Sequence, residues 1–469
     1  MIVVKFGGTS VGTAAAIRST AEIVRGRMSR EPVVVVSALS GVTNVLLSMA
    51  DQAAAGKLIL AVQAVEGLRS RHFAEAEALL GPGAAAEELC SEMSPLLDDL
   101  ASLAEALSIL GHLTPRSLDA IAATGEMLSS LLVVAAYGAA GLPADGVDAR
   151  HVMLTDATFT QAEPRPDAIA AAAREHIIPR VRAGRIPVIG GFVGATRDGI
   201  TTTLGRGGSD YSASLLGAAL GAEAIEIWTD VDGMLTADPR VVDGARVIES
   251  IRFDEAAELA SFGAKVLHPN TIAPAVRVGI PVYVYNTHNP SGTGTRITFD
   301  APRRPVSAIA GKTPITVVKV RSSRMLFTPG FLRRVFEIFE RHRTSVDVVA
   351  TSEVSVSVTL DQTHRLDAIL MELSALGDTS VERARGVVAV VGAGLADDTD
   401  AMARALAAIR GIPVHMLSLS ATGINLTIIV DADQVTPAIR RLHAAFFADA
   451  PLAQGAREGR DRPEGQVLQ

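Results

Sequence analysis

Short runs of β-branched residues alternate with Ala- and Leu-rich stretches through the first part of the chain. Residues 33–36, 186–189, 225–228 and 282–285 are almost continuously apolar, and residues 45–140 are rich in Ala, Leu and Glu with the composition of several helices. Continuously apolar strands are typical of parallel sheets that helices cover on both faces. The pattern therefore predicts an α/β domain of three layers (αβα) built around a mostly parallel sheet.

The rest of the chain follows a different order of elements. Residues 315–361 have the order strand, helix, strand, strand, and residues 386–430 repeat it before a closing helix at 437–447. This internal repeat predicts two ferredoxin-like βαββαβ modules in tandem. We therefore divide the chain into an α/β domain, a linker with a shared strand, a first module, a second module and a disordered polar tail, at residues 1–300, 301–312, 313–383, 384–449 and 450–469.

Composition and charge narrow the class of protein. A length of 469 residues exceeds what one hydrophobic core usually holds, which agrees with several domains. A net charge of −8 argues against nucleic acid as a partner. The chain opens on a strand rather than a signal peptide, and no apolar run has the length of a membrane span. We expect no membrane contact and a cytoplasmic location.

The most informative chemistry lies at the N-terminus. An apolar strand ends in Lys5, and Gly7 and Gly8 follow before an Ala-rich helix that Thr9 or Ser10 is placed to cap. Paired glycines let the backbone approach a ligand, and turn amides beside a lysine suit an anion. This predicts a phosphate-binding turn. A single K-x-G-G motif is equally compatible with an ordinary surface turn, so the rest of the chain has to decide.

A second glycine-rich loop, residues 204–210, also opens a helix. Its paired glycines let backbone amides converge on an anion, and Arg206 can bind a carboxylate or phosphate through two hydrogen bonds. Ser209 and Asp210 are also suited to plain capping of the helix. The segment 228–233 turns sharply after a strand, at the edge where α/β sheets bind ligands.

Together these motifs resemble those of the amino acid kinase family, and within it the single-function, lysine-sensitive aspartokinases. The resemblance extends over nearly the whole chain, because the tandem repeat resembles the paired ACT modules that follow the kinase domain in those enzymes. Each motif is short, whereas their order and spacing are specific. The motifs are K-F-G-G-T-S at 5–10, S-A-L-S-G-V-T-N at 37–44, G-E at 125–126, G-R-G-G-S-D at 205–210, W-T-D-V-D-G at 228–233 and F-G-A-K-V-L-H-P at 262–269.

The resemblance implies transfer of the γ-phosphoryl group of ATP, with Mg²⁺ bridging the phosphates, to the β-carboxylate of L-aspartate, the first step toward lysine, threonine and methionine. A carboxylate is already ionised at pH 7, so the reaction needs charge neutralisation and alignment rather than a base. The resemblance implies Lys5 and Asp210 as catalytic residues, Arg206 on a substrate carboxylate, Glu126 on the ammonium group, and no side chain as a metal ligand. The implied aspartate contacts are Ser37, Thr43, Glu126 and Arg206, and the implied nucleotide contacts are Lys5, Gly7, Gly8, Gly208, Ser209, Thr229, Asp230, Arg240 and Lys265, with the three glycines supplying amides.

The first module resembles modules that bind lysine across a dimer interface. This implies feedback inhibition by lysine and a homodimer formed through the ACT modules. Asp347 and Glu353 carry the charge that a cationic amino acid requires. The implied effector residues are Met325, Ser345, Val346, Asp347, Thr351, Ser352 and Glu353.

Two other functions stay open. One is a kinase of the same fold that acts on another acid, such as glutamate or an N-acylated amino acid, although the paired modules and the 37–44 motif argue against it. The other is an amino-acid-sensing regulatory protein on an inactive kinase scaffold. Lys5, Arg206, Asp210 and Lys265 are all present in the chain, which argues against a sensor because a sensor has no need for phosphate-site cations.

Overall fold

The computed structural model describes residues 1–263, 269–326 and 328–448. Strands of the N-terminal part form where the sequence is apolar and β-branched, because such side chains pack well on a pleated surface. These strands are β1 (Ile2–Phe6), β2 (Pro32–Val36), β3 (Ala144–Val147), β4 (Ile186–Gly190), β5 (Val193–Ala195), β6 (Thr201–Thr203), β7 (Ala224–Thr229), β8 (Ser250–Ile251), β9 (Val282–Asn286) and β10 (Thr295–Ile297).

Eight of these strands form one sheet in the order β3-β4-β2-β1-β7-β9-β10-β8. Neighbouring strands are parallel except for β9 and β10, which are antiparallel. The remaining two strands, β5 and β6, form a short antiparallel hairpin. Because β1 lies between β2 and β7, the glycine turn after β1 emerges in the middle of the sheet edge where ligands of α/β proteins bind.

Helices cover both faces of the large sheet. Alternate residues of β1 point to opposite sides of the sheet. Ile2 and Val4 pack in the core formed with the helices of residues 14–139, whereas Val3 packs in the core formed with the helices of residues 166–278. The prediction of three αβα layers is confirmed. The helices are α1 (Ala14–Arg25), α2 (Val42–Ala54), α3 (Leu58–Leu80), α4 (Ala84–Leu110), α5 (Pro115–Ala139), α6 (Pro166–His176), α7 (Ile178–Arg182), α8 (Gly208–Leu220), α9 (Phe253–Ser261) and α10 (Ala273–Val278).

Two expectations about helices differ from the structure. Helix α1 is capped by Thr13, whose side chain accepts a hydrogen bond from the amide of Ala16, so the prediction of a cap at Thr9 or Ser10 was wrong. Within the described chain, α5 alone has the length and apolar composition that a membrane crossing requires, against the expectation that no such run exists, and 67% of its apolar window is buried in the fold. That burial is typical of the core helix of a globular domain.

The second part of the chain forms a six-stranded antiparallel sheet flanked by helices. The strands lie in the order β12 (Val349–Thr351), β13 (Ser355–Leu360), β11 (Ala308–Arg321), β14 (Asp378–Val391), β16 (Asn425–Asp431) and β15 (Met416–Leu419). The strand, helix, strand, strand order predicted for each repeat is present. The elements are β11 (Ala308–Arg321), α11 (Phe331–Arg341), β12 (Val349–Thr351), β13 (Ser355–Leu360), α12 (Leu366–Ser374), β14 (Asp378–Val391), α13 (Thr399–Ala408), β15 (Met416–Leu419), β16 (Asn425–Asp431) and α14 (Val435–Phe447).

The two modules share their central strands. The C-terminal half of β11 pairs with β13 of the first repeat, whereas its N-terminal half, from Ala308 to Lys312, pairs with the second half of β14. Strand β14 runs without a break from Asp378 to Val391 and pairs with β16 through its second half. The first half of β11 therefore belongs to the sheet of the second module, and the first half of β14 to the sheet of the first module. The predicted division between residues 383 and 384 falls inside β14. The domain limits remain a prediction.

The second module is docked on the α/β domain through buried polar contacts. Glu255 of α9 accepts hydrogen bonds from the Ser307 hydroxyl (2.6 Å) and the Ala393 amide (2.8 Å). Thr236 Oγ1 lies 2.9 Å from Nε2 of His443 on α14. Thr236 belongs to the segment that follows β7, so the second module contacts the chain a few residues beyond the carboxyl end of that strand.

Candidate active site

A cavity of about 800 Å³ lies at the carboxyl ends of the parallel strands β1, β2 and β7. Loops from distant parts of the chain converge there, because parallel strands bring their carboxyl ends to one edge of the sheet. The sequence-predicted residues that line this cavity are Lys5, Gly7, Gly8, Ser37, Thr43, Glu126, Arg206, Gly208, Ser209, Asp210, Thr229 and Asp230.

Lys5 and Asp210 form a buried ion pair in the cavity wall. Their Nζ and Oδ1 atoms are 2.6 Å apart, and only 9% and 15% of the two side chains are exposed. Lys5 comes from β1 and Asp210 from the first turn of α8, so the pair joins the two predicted anion loops. With the carboxylate fixing its position, the ammonium group of Lys5 is a cation held at one point beside the glycine turn.

Free amides occur at both glycine loops. Among the described residues, the backbone N–H groups of Gly8, Thr9, Ser209 and Asp210 have no hydrogen-bond acceptor. Neither Ser209 nor Asp210 caps α8, whose N-cap is Gly207 with no side-chain hydrogen bond. The helix N-terminus is therefore open, and its orphan amides and dipole favour an anion.

The role expected for two glycine amides needs correction. The amide of Gly7 donates to the Trp228 carbonyl (3.0 Å) and the amide of Gly208 to the Gly205 carbonyl (3.0 Å), so both donors are already engaged. These glycines supply room instead. A Cβ atom on Gly208 would lie 2.6 Å from the Phe192 ring, and one on Gly8 would lie 2.9 Å from the Ala38 carbonyl oxygen.

Glu126 is a buried acid without a full set of partners. It lies on α5, is 4% exposed, and its Oε2 atom has no hydrogen-bond partner. Burial raises the pKa of Glu126 to about 8, and nearby Lys5 opposes the rise only in part. Gly125 makes the position possible, because a Cβ there would lie 2.8 Å from the Cβ of Ala38. An unpartnered buried carboxyl is expected where a ligand supplies the missing donor.

Arg206 lies across the same cavity with a free guanidinium group. Its flanking residues Gly205 and Gly207 have positive φ angles of 77° and 71°, a conformation that glycine adopts without strain. Within the described chain, the side chain of Arg206 makes no hydrogen bond or ion pair. The cavity thus presents one free cation, one ion-paired cation and one unpartnered acid, a set that fits an amino acid and a phosphate group together.

One predicted nucleotide contact, Arg240, lies outside the cavity, and another, Lys265, is not among the described residues. Arg240 forms an ion pair with Asp238 (2.6 Å), its side chain is 84% exposed, and it does not line the cavity. Lys265 lies outside the described residues, as do Phe327 and the tail that begins at residue 449. Thr229 and Asp230 do line the cavity, at the end of β7.

The cavity residues that the sequence analysis missed include Asp119, Thr160 and Phe192. Asp119 is 1% exposed and accepts hydrogen bonds from two backbone amides and one hydroxyl group. The signal that was available is its spacing, because Asp119 precedes Glu126 by two helical turns and so lies on the same face of α5. Nothing local marks the other two.

The implied effector residues lie in the first module. Met325 and Val346 pack against its hydrophobic core, and Thr351 ends β12. Ser345, Ser352 and Glu353 are exposed. Asp347 faces Lys312 of β11, with Nζ and Oδ2 3.4 Å apart, while Lys312 also binds Asp361 (2.6 Å). Burial and the Asp361 carboxylate raise the pKa of Asp347, and Lys312 opposes the rise.

Fold and cavity together define a class: an α/β phosphotransferase domain with an antiparallel regulatory region behind it. The profile of the amino acid kinase family matches residues 1–286, and that of an ACT domain matches residues 388–446. The chain belongs to the amino acid kinase family.

Curated relatives and solved structures match almost the full chain. It is 38% identical to lysine-sensitive aspartokinase 3 of Escherichia coli K12 over 456 residues, covering 95% of this chain and 99% of that protein. It is 36% identical to chloroplastic aspartokinase 3 of Arabidopsis thaliana, covering 95% and 81%. The structure of E. coli aspartokinase III with aspartate and ADP (R-state) superposes with a TM-score of 0.83 at 37% identity, covering 95% and 100%. The same enzyme with lysine and aspartate (T-state) gives 0.81, covering 95% and 99%.

Proposed function

We propose that this protein is an aspartate kinase, which transfers the γ-phosphoryl group of ATP to the β-carboxylate of L-aspartate and forms 4-phospho-L-aspartate. The observation that carries the proposal is the content of one cavity: the Lys5–Asp210 pair, the open amides of two glycine loops, the free Arg206 and the unpartnered Glu126. The relatives support it, because the E. coli enzyme of the same fold has been solved with aspartate and ADP.

The charges of the cavity suit aspartate. The guanidinium group of Arg206 is placed to bind the α-carboxylate through two hydrogen bonds, and the free Oε2 of Glu126 to accept from the α-ammonium. Ser37 and Thr43 also line the cavity. Held at both ends of its backbone, the substrate presents its β-carboxylate toward Lys5, which is the alignment that phosphoryl transfer requires.

The transfer itself needs no general base. A β-carboxylate oxygen attacks the γ-phosphorus, the bond from that phosphorus to the bridging oxygen breaks, and ADP leaves with the electron pair. None of the described residues that line the cavity is a histidine. Lys5 neutralises the transferring group, and the amides of Gly8, Thr9, Ser209 and Asp210 donate hydrogen bonds to phosphate oxygens.

The cavity also fits Mg²⁺ carried by the nucleotide. No group of three or more His, Cys, Asp or Glu side chains suited to a metal occurs in the described residues. Mg²⁺ with ATP takes most of its ligands from phosphate oxygens and water, with one or two carboxylates, and Asp210 and Asp230 line the cavity. Asp210 and Asp230 would help to hold the ion, which would neutralise phosphate charge, while Asp210 fixes the position of Lys5.

Regulation follows from the second part of the chain. We propose feedback inhibition by lysine at the first module, a homodimer formed through the modules, and a cytoplasmic location in amino-acid biosynthesis. The similarity to E. coli aspartokinase III solved with lysine and aspartate supports the inhibitor, and the acidic Asp347 supplies the charge for a cationic ligand.

The test is trapping of the acyl phosphate with hydroxylamine after incubation with ATP, Mg²⁺ and L-aspartate. Wild type is expected to give hydroxamate from aspartate and not from glutamate, and Lys5→Ala to lose about a thousandfold in rate, since the cation acts on the transferring group. Hydroxamate from glutamate would identify the alternative kinase. No hydroxamate from either acid, with lysine still bound, would identify a sensor on an inactive scaffold.

A further inference from the structure

Asp119 is a buried carboxylate that the reaction as described does not use. It lines the active-site cavity with 1% of its surface exposed. Burial raises its pKa, and the hydrogen bonds that it accepts oppose that rise. A buried acid is expected to have a structural or chemical reason, because its desolvation is costly.

The partners of Asp119 come from two separate segments. The Thr160 amide donates to both carboxylate oxygens, at 3.0 and 2.9 Å. The Thr203 amide donates to Oδ2 at 3.1 Å, and the Thr203 hydroxyl donates to Oδ1 at 2.6 Å. One side chain on α5 therefore ties the loop around residue 160 to the end of β6.

Both tied segments hold the loop of Arg206. Thr203 is the last residue of β6, three positions before Arg206. Thr160 packs on the other side of that loop, since a Cβ on Gly205 would lie 3.2 Å from the Thr160 carbonyl oxygen. Thr160 itself has a positive φ of 71°, a conformation that a non-glycine residue keeps only when its surroundings hold it.

Arg206 depends on its backbone for position. Among the described residues its guanidinium group has no hydrogen-bond or ion-pair partner, so no polar partner within the cavity fixes it before a substrate binds. We propose that Asp119 is a positioning residue for aspartate binding: by tying Thr160 to Thr203 it sets the loop on which Arg206 meets the substrate carboxylate. This inference rests on the proposed function.

The test is the split between the two Michaelis constants. Asp119→Asn keeps the shape but removes the charge and turns one acceptor into a donor. We expect the KM for aspartate to rise about tenfold or more, the KM for ATP to change less than about twofold, and kcat to fall less than KM rises. Thr203→Val removes the hydroxyl partner from the other end, and its effect on the KM for aspartate should be smaller and of the same direction.

A double-mutant cycle and a matched control exclude a general loss of folding. If the two residues act through one tie, Asp119→Asn with Thr203→Val should raise the KM for aspartate by less than the product of the single effects. Asp156→Asn is the control, because Asp156 also accepts backbone hydrogen bonds in the same loop, from Thr158 and Glu163, but has no bond to β6. It should leave both Michaelis constants near wild type.

The outcomes separate the inference from the function on which it rests. Wild-type protein inactive on aspartate would overturn the proposed function. An active wild type, with Asp119→Asn raising both Michaelis constants equally, or with an effect matched by Asp156→Asn, would overturn the role of Asp119. The role of Asp119 is supported by a selective rise in the KM for aspartate at a melting temperature close to that of wild type, together with a double mutant whose effect is smaller than the product of the two single effects.

Discussion

Glu126 in the active-site cavity and Asp347 in the first module are held in opposite ways. Glu126 is buried with one oxygen unpartnered, and Lys5 nearby is engaged by Asp210 instead. Asp347 is partly exposed and already faces a cation of its own chain, Lys312, which Asp361 shares. One oxygen of the first carboxyl group has no partner, whereas the second carboxyl group has a partner that the proposed effector would have to displace.

This contrast explains why the two sites suit different tasks. A buried unpartnered group has a large gain available on binding, since desolvation is already complete. An exposed, ion-paired group offers only the difference between two similar cations, which is small and sensitive to conditions. On the proposed assignment, the cavity is organised for strong, selective binding, and the proposed effector region for an adjustable response.

Glu126→Gln should have a larger effect than changes at Lys312 or Arg240. The glutamine amide is uncharged and cannot form an ion pair with the substrate ammonium. The kcat/KM for aspartate is therefore expected to fall about a hundredfold, equivalent to roughly 2.7 kcal/mol, with the KM for ATP nearly unchanged. The control is Glu226→Gln, at a glutamate that is equally buried but bound by Arg27, Arg30 and the Trp228 ring nitrogen. It should lower stability without changing the KM for aspartate.

The pH dependence sharpens the same comparison. With a pKa of about 8 in the fold against an ordinary value of 4.5, Glu126 is neutral at low pH and charged above 8. The kcat/KM for aspartate should therefore rise as pH passes through about 8. Folding favours the proton, so this group's contribution to stability is full below pH 4.5 and is lost as pH rises through 8.

Glu126→Gln should remove both trends. Melting temperatures of wild type and variant, measured from pH 5 to 9, are expected to diverge in favour of the variant as pH increases, because only the wild type acquires a buried charge. Parallel curves over that range would contradict the unpartnered, buried state of Glu126.

Lys312→Met should give a smaller effect at the effector region. Removing the internal cation frees Asp347 and Asp361 for a ligand ammonium, so half-inhibition should require about two- to fivefold less lysine, with uninhibited activity close to wild type. Lys319→Met is the matched control: Lys319 lies on the same strand, but its ion pair is with Glu382. Weaker inhibition in Lys312→Met alone would show that Lys312 assists the ligand rather than competing with it.

The sequence pattern predicted elements better than it predicted pairings. Residues 33–36 and 225–228 lie within β2 and β7 as expected, since continuous apolar runs have few alternatives in a covered sheet. The shared strands β11 and β14 depend on which distant segments pair, and no local pattern contains that information. The cap of α1 is similar: Thr9, Ser10 and Thr13 are all suitable, and Ser10 is engaged by Thr287 (2.6 Å) far along the chain.

The site shows the same division. The motifs contained Lys5, Glu126, Arg206 and Asp210, because glycine-flanked polar residues are conspicuous in a sequence. Asp119 is not flanked by such a motif, and its importance arises from amides that belong to other segments. Its one side-chain partner, Thr203, lies 84 residues along the chain, so the sequence offers only the two-turn spacing from Glu126 as a signal, and the structure is needed to show what Asp119 binds.

Arg240→Ala is expected to have the smallest effect, and it tests how far the cavity extends. The guanidinium group is held by Asp238 in an exposed ion pair outside the cavity lining, and exposed pairs contribute about 0 to 1 kcal/mol. The KM for ATP should therefore rise less than about twofold, with Asp238→Asn giving the same small change. A tenfold rise in Arg240→Ala, absent from Asp238→Asn, would mean that Arg240 leaves Asp238 to bind the nucleotide. In that case part of the nucleotide site, like Asp347, would consist of an ion-paired side chain that has to change partner when its ligand binds.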